Sequence, residues 1–216
     1  MPIELTRRET LALTAAAAAA LFPGAALAQS DDAPVREVRE MTMGDPDAPI
    51  TVVEYASFTC PHCATFHRDV MPQLRENFID TGKVHFIFRE VYFDLYGLWA
   101  GVVARCAPED RYFGIVDLIF KTQSDWTRST ASDEEGAKAE VTQNLFGIGR
   151  QAGLTDDQMR ECMQDREFME ALVAEFQKNM EADQVTGTPS FIINGEKASN
   201  MSYADFEARL NEELEG

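Results

Sequence analysis

Two cysteines with two residues between them, Cys60-Pro61-His62-Cys63, are the side chains of this chain best suited to covalent chemistry. A thiolate is the nucleophile in disulfide exchange, so whatever favours the anion makes a cysteine reactive at neutral pH. Cys60 falls where an apolar, β-rich run gives way to a helical pattern. The unpaired N–H groups and dipole of a helix start favour negative charge there. Cys63 follows one turn later, close enough to bond to it. Pro61 suits the first helical turn because it has no N–H to leave unpaired. His62 can add a donor or a positive charge beside the Cys60 sulfur. Together these features favour the reduced thiolate, which makes the disulfide form strongly oxidising. The competing readings are a plain bridge or half of a zinc site. Zinc takes four ligands, a second C-x-x-C is missing, and His62, His67 and His85 complete no site by their spacing. No metal and no bound organic cofactor is expected, since the redox equivalents sit on the two sulfurs.

The surrounding pattern says which elements hold this pair. Residues 50–58 form a nearly continuous apolar run, the mark of a central buried strand. In 64–79, Phe66, Val70, Leu74 and Phe78 recur at helical spacing, with Pro72 expected to kink the helix. Residues 84–92 alternate as a strand, and a shorter strand is expected over 38–43. From 97 to 184 the periodicity is helical, with breaks at Pro108, at 125–132 and at Gly153. Its last stripe, Phe168, Met169, Leu172, Val173, Phe176 and Met180, reads as core packing rather than a cofactor box. Residues 190–193 form a strand, Asn194-Gly195 is a two-residue hairpin turn, and 202–214 form a closing helix. The order is β, β, α, β, a helical block, then β, β, α.

Arg7 and Arg8 precede a charge-free stretch over 11–28 that ends in Ala26-Leu27-Ala28. A basic start, an apolar stretch and a small-x-small triplet make a signal peptide, residues 1–28, cleaved after Ala28. A membrane anchor is the weaker reading, because eighteen Ala-rich residues interrupted by Pro23-Gly24 are short for a span. Thr6-Arg7-Arg8-Glu9 also looks like a twin-arginine signal, although Thr10 departs from it, so Sec and twin-arginine routes stay open. Either route leads to the periplasm or the cell exterior, where disulfides persist. Residues 29–37 read as a flexible leader. The 37 acidic against 19 basic side chains, a net charge of −18, disfavour nucleic acid and anionic membrane surfaces as partners.

Cys60-Pro61-His62-Cys63 after an apolar strand, Glu54 within that strand, the helical block, and Gly187-Thr188-Pro189-Ser190-Phe191 opening a later strand resemble the DsbA-like thiol oxidoreductases of the thioredoxin superfamily. The likeness runs from residue 38 to the end. It implies an α/β, thioredoxin-like fold over 38–96 and 185–216, with an α-helical domain inserted over 97–184. The implied activity is oxidation of reduced or unfolded exported proteins, with a membrane, quinone-linked partner of the DsbB type restoring the disulfide. The resemblance also implies roles. Cys60 would be the sulfur that exchanges with substrate and Cys63 its buried partner. Pro189 would be a cis-proline facing the pair. Thr188 would offer its backbone to an extended peptide, and Glu54 would be a buried acid suited to relaying a proton to or from Cys63. The four cysteines allow three pairings, and the adjacency of 60 and 63 leaves Cys106 with Cys162. A structural bridge, two inert thiols and a second redox pair all stay open. Rival functions are a disulfide isomerase or reductase in the same compartment, and a periplasmic metal-binding or delivery protein.

Overall fold

The computed structural model describes residues 37–215. The expected signal peptide, and the leader as far as residue 36, lie outside the described residues. Five strands form one mixed sheet in the order β1-β3-β2-β4-β5: β1 (Met41–Met43), β2 (Ile50–Ala56), β3 (Val84–Glu90), β4 (Ser190–Ile193) and β5 (Glu196–Ser199). Central β2 runs parallel to β3 and antiparallel to β4. Six of its seven residues are buried, which is what an apolar run without polar alternation requires. Side chains alternate across a strand. Ile50, Val52 and Ala56 therefore join the main core on one face, while Val53 and Tyr55 join a smaller cluster on the other. Glu54 falls on the main-core face, opposite Phe88 of β3 and Phe191 of β4 in register.

The first strand is shorter than the pattern suggests. Upstream of Met41 the Arg105 guanidinium, rather than the ladder, takes the Arg39 carbonyl at 2.9 Å. The segment expected to be one kinked helix divides into α1 (Pro61–Asp69), α2 (Met71–Leu74) and a π-helical turn over Arg75–Ile79. Pro72 cannot donate to a carbonyl of the preceding turn, so regular α1 ends before it. The apolar positions of this segment still face one way: Phe66, Val70, Leu74 and Phe78 are all buried.

Six helices follow β3: α3 (Leu95–Arg105), α4 (Glu109–Lys121), α5 (Gln123–Trp126), α6 (Glu134–Gln151), α7 (Asp156–Gln164) and α8 (Arg166–Ala182). Asp94, Asp133, Thr155 and Asp165 cap four of them by accepting a backbone N–H. The α8 stripe is divided between two apolar clusters: Phe168, Met169 and Leu172 pack with Tyr92 and Val102, and Met180 packs with Val53 and Ile87. At the end of β3 a buried ion pair joins sheet and helices. Arg105 of α3 donates two bonds of 2.6 Å to Glu90, and the Tyr112 hydroxyl of α4 donates a third at 2.6 Å. The chain returns through β4, turns at Asn194-Gly195 with φ of 48° and 86°, and closes with α9 (Tyr203–Glu215), whose Phe206 and Leu210 are fully buried against the sheet face that carries α1.

Cys106, the C-cap of α3, and Cys162 of α7 are joined in a disulfide that closes a sequence separation of 56 residues, with Cα atoms 6.0 Å apart. Closing a loop of that length restricts the unfolded chain by about 4 kcal/mol. Replacing both by alanine is expected to lower unfolding stability by up to about 4 kcal/mol, measured by denaturant titration with Cys60 and Cys63 held reduced. An unchanged midpoint would show that the bridge contributes nothing.

Candidate active site

The C-terminal end of β2 delivers the chain into the turn 57–60, and α1 starts immediately after it. Cys60 is the N-cap of α1, in an extended conformation, with Pro61 in the first helical turn. No side chain caps this end and no acidic residue stands in its first turn, so no carboxylate offsets the positive end of the α1 dipole. Cys60 is partly exposed, Cys63 is fully buried, and both carry free thiols. His62 lies on the exposed side of the first turn.

The turn is held by two residues of the helical block and its approach. Gln123 of α5 donates to the carbonyls of Phe58 at 2.7 Å and Cys60 at 3.0 Å. The Thr59 hydroxyl donates to Asp94, the residue that caps α3. Facing the pair, the Thr188–Pro189 peptide bond is cis, and the Cys60 thiol donates to the Thr188 carbonyl at 3.4 Å. Sulfur, cis-proline and the carbonyl before it therefore come from opposite ends of the chain and meet at one point.

Beneath Cys63 lies a buried polar pair that the sequence reading did not anticipate. Nε2 of His67 is 3.0 Å from Oε2 of Glu54, with the two side chains 3% and 0% exposed. His67 stands one turn after Cys63 on α1, so the same helix face carries both over the sheet. Phe120 stacks on the imidazole at 4.1 Å, and Phe66 and Phe88 meet its edges at 5.7 Å. In the sequence His67 figured only as a stray zinc ligand. The i, i+4 relation to Cys63 was the available signal. Gln123 and Asp94 gave none, because only the tertiary fold carries them to residues 58–60.

Burial pushes the Cys63 thiol well up, because an anion there would be stripped of water. The nearby Glu54 charge and Cys60 add to the rise, while the Thr188 hydroxyl and the backbone at Ser57 offset a little of it. The pair is thus asymmetric: one sulfur is reachable from solvent at a helix start, and the other is buried and reluctant to ionise.

A family model described as thioredoxin matches residues 36–212. The chain is a DsbA-like member of the thioredoxin family. A Rickettsia bellii protein named as a protein-disulfide oxidoreductase is 33% identical over 177 residues, covering 82% of this chain and 65% of that protein. The chain thus spans slightly under two thirds of this relative's length. Disulfide bond formation protein D of Bacillus subtilis is 27% identical over 184 residues, covering 81% of this chain and 77% of the relative. Among solved structures, Wolbachia pipientis alpha-DsbA1 superposes with a TM-score of 0.72 at 29% identity, covering 82% of this chain and 92% of that one. The expected α/β, thioredoxin-like fold with helices inserted between the sheet's halves is the fold observed. No helix among the described residues is long and apolar enough to cross a membrane.

The raised Cys63 thiol makes stability depend on pH with a definite sign. Above the ordinary cysteine value of 9.0, the unfolded chain has lost this proton while the folded chain keeps it. Rising pH therefore favours the unfolded state. The reduced DsbA-like protein is expected to lose stability as pH climbs past 9, and a Cys63→Ala variant to show a flatter profile between 9 and 10. Tyr55, pushed from 10.0 up to about 12 chiefly by burial, acts in the same sense only above pH 10. Identical profiles for the two proteins, followed by denaturant midpoints, would contradict this account of Cys63.

Proposed function

We propose that this chain is an exported thiol:disulfide oxidoreductase that donates the Cys60–Cys63 disulfide to reduced secreted proteins. The observation that carries the proposal is the arrangement of a reachable Cys60 at the start of α1, a buried Cys63 one turn on, and the Thr188 carbonyl 3.4 Å from the Cys60 sulfur. Relatives named as a protein-disulfide oxidoreductase and as a disulfide bond formation protein support thiol–disulfide chemistry at this site.

In this reading a client thiolate attacks Cys60, the Cys60–Cys63 bond breaks, and a mixed disulfide forms. A second client thiol displaces Cys60, the client leaves oxidised, and the two enzyme sulfurs keep the electrons. The oxidising direction rests on the placement of Cys60 at the start of α1, where the unpaired N–H groups and the positive end of the helix dipole lie. An extended client segment would pair with the backbone at Thr188, beside cis-Pro189, as a short added strand. Phe93 and Leu95, 57% and 43% exposed, flank Asp94, the partner of Thr59. They place an apolar patch next to the active-site turn, suited to unfolded clients. Residues 38–96 with 185–216 would form the thioredoxin-like domain and 97–184 the insertion. The segment 1–28 would direct export to the periplasm, where a quinone-linked membrane partner of the DsbB type would reoxidise the pair.

The test is oxidation of a reduced two-cysteine peptide by the pre-oxidised protein, alongside the potential of the couple against glutathione. Rapid oxidation, abolished in Cys60→Ser, and a potential well above the roughly −270 mV of thioredoxin are expected. A potential near thioredoxin's would favour the reductase or isomerase reading instead. Replacing Phe93 and Leu95 by serine is expected to raise KM for an apolar peptide several-fold and leave kcat unchanged. Unaltered KM would remove the patch from the account.

A further inference from the structure

The Glu54–His67 pair does not end in the core. Beyond the imidazole, a groove of about 600 Å³ opens between α1–α2 and α4, walled by Met71, Pro72 and Phe120, with His67 at its inner end. Of the two imidazole nitrogens, Nε2 meets Glu54, whereas Nδ1 is buried with no protein partner. Arg75, which also lines the groove and reaches Asp117 across it at 3.1 Å, leaves its Nε without a protein partner as well. Both atoms are themselves buried, so an ordered water entering from the groove is what would satisfy them. Exposed Glu76 and Asp80 stand among its lining residues. On the inner side, the second oxygen of Glu54, Oε1, is likewise buried without a protein partner, on the sheet face that α1 covers with Cys63 and His67.

We propose that His67 is the proton-relay partner of Glu54, passing protons between the Glu54 carboxyl and solvent at the α1–α4 groove. This rests on the oxidoreductase reading above and supplies the part of it that a buried sulfur demands. When a client thiolate attacks Cys60, the electron pair of the breaking Cys60–Cys63 bond passes to the Cys63 sulfur. That sulfur takes a proton from Glu54. His67 donates its Nε2 proton to the carboxylate and accepts another at Nδ1 from solvent. The second client thiolate then attacks the client sulfur of the mixed disulfide and expels Cys60. The client has lost two electrons and the enzyme pair has gained them. Reoxidation runs the protons outward by the same path, since Cys63 must shed its proton before it can bond to Cys60 again. Imidazole suits the position because it binds a proton on one nitrogen while releasing one from the other.

The test measures single-turnover reduction of the Cys60–Cys63 disulfide by a reduced peptide, with quenching and thiol counting by mass spectrometry. His67→Gln keeps a donor for Glu54 but cannot carry a proton through, and His67→Ala opens the groove onto Glu54. Both are expected to slow the step by about a hundredfold or more, and free imidazole is expected to restore the rate of His67→Ala alone. A His67→Gln rate equal to that of the unmutated protein, or a slow His67→Ala that imidazole does not accelerate, would overturn the relay. Should neither variant fold, the unmutated protein still decides: heavy water should slow its reduction more than it slows exchange in a small dithiol–disulfide pair, and equal slowing overturns the proposal. A protein with no exchange activity at all would fail at the oxidoreductase reading itself, a result distinct from active protein indifferent to His67.

Discussion

The contrast in solvation between two sulfurs one helical turn apart is the constraint around which the rest of the molecule is arranged. Cys60 is half in water at the N-terminus of α1, while Cys63 is enclosed under the same helix. Water and the unpaired N–H groups of a helix start surround the first position, and nothing comparable surrounds the second. In the proposed reaction a disulfide spanning this boundary would break unevenly, with the exposed sulfur taking the incoming partner and the buried one leaving. Everything beneath Cys63 then concerns how a charge in an apolar interior is compensated.

That compensation explains why polar groups are present in an otherwise aromatic layer. Glu54 sits on a strand whose neighbours in register are Phe88 and Phe191, and His67 lies among three phenylalanine rings. Burying two titratable groups costs several kcal/mol unless they satisfy one another. The 3.0 Å contact between them does so for one atom of each. Replacing a buried pair of this kind by well-packed apolar residues is often neutral or stabilising, so packing alone does not call for it.

The helical block acts as a clamp as well as a cover. Gln123 holds the backbone at 58 and 60, Asp94 holds Thr59, and Arg105 and Tyr112 converge on Glu90 to tie α3 and α4 to the sheet edge. Movement of the insertion relative to the sheet would therefore be felt at Cys60. The disulfide between Cys106 and Cys162 stiffens this block by joining α3 to α7. Cys60 and Cys63 take no part in it, and their sulfurs remain free.

Short-range pattern sufficed for the elements and their order. Continuous apolar character marked β2, the 3.6-residue recurrence marked the helices, Asn194-Gly195 marked the hairpin, and the C-P-H-C spacing placed two sulfurs at a helix mouth. These are properties of residues within a turn or two of each other, so the sequence states them directly. What lay beyond it were encounters between distant segments. The division of 61–79 into three helical pieces, the truncation of β1 by Arg105, the grip of Gln123 and Asp94 on the turn, and the His67–Glu54 pair under Cys63 all depend on which face of one element meets which face of another. Sequence by itself determined that two cysteines one turn apart would sit where β2 passes into α1. Only the tertiary structure decided how far each sulfur stands from water and which groups stand beneath the buried one, because desolvation is a property of everything packed around an atom and not of the residues beside it in the chain.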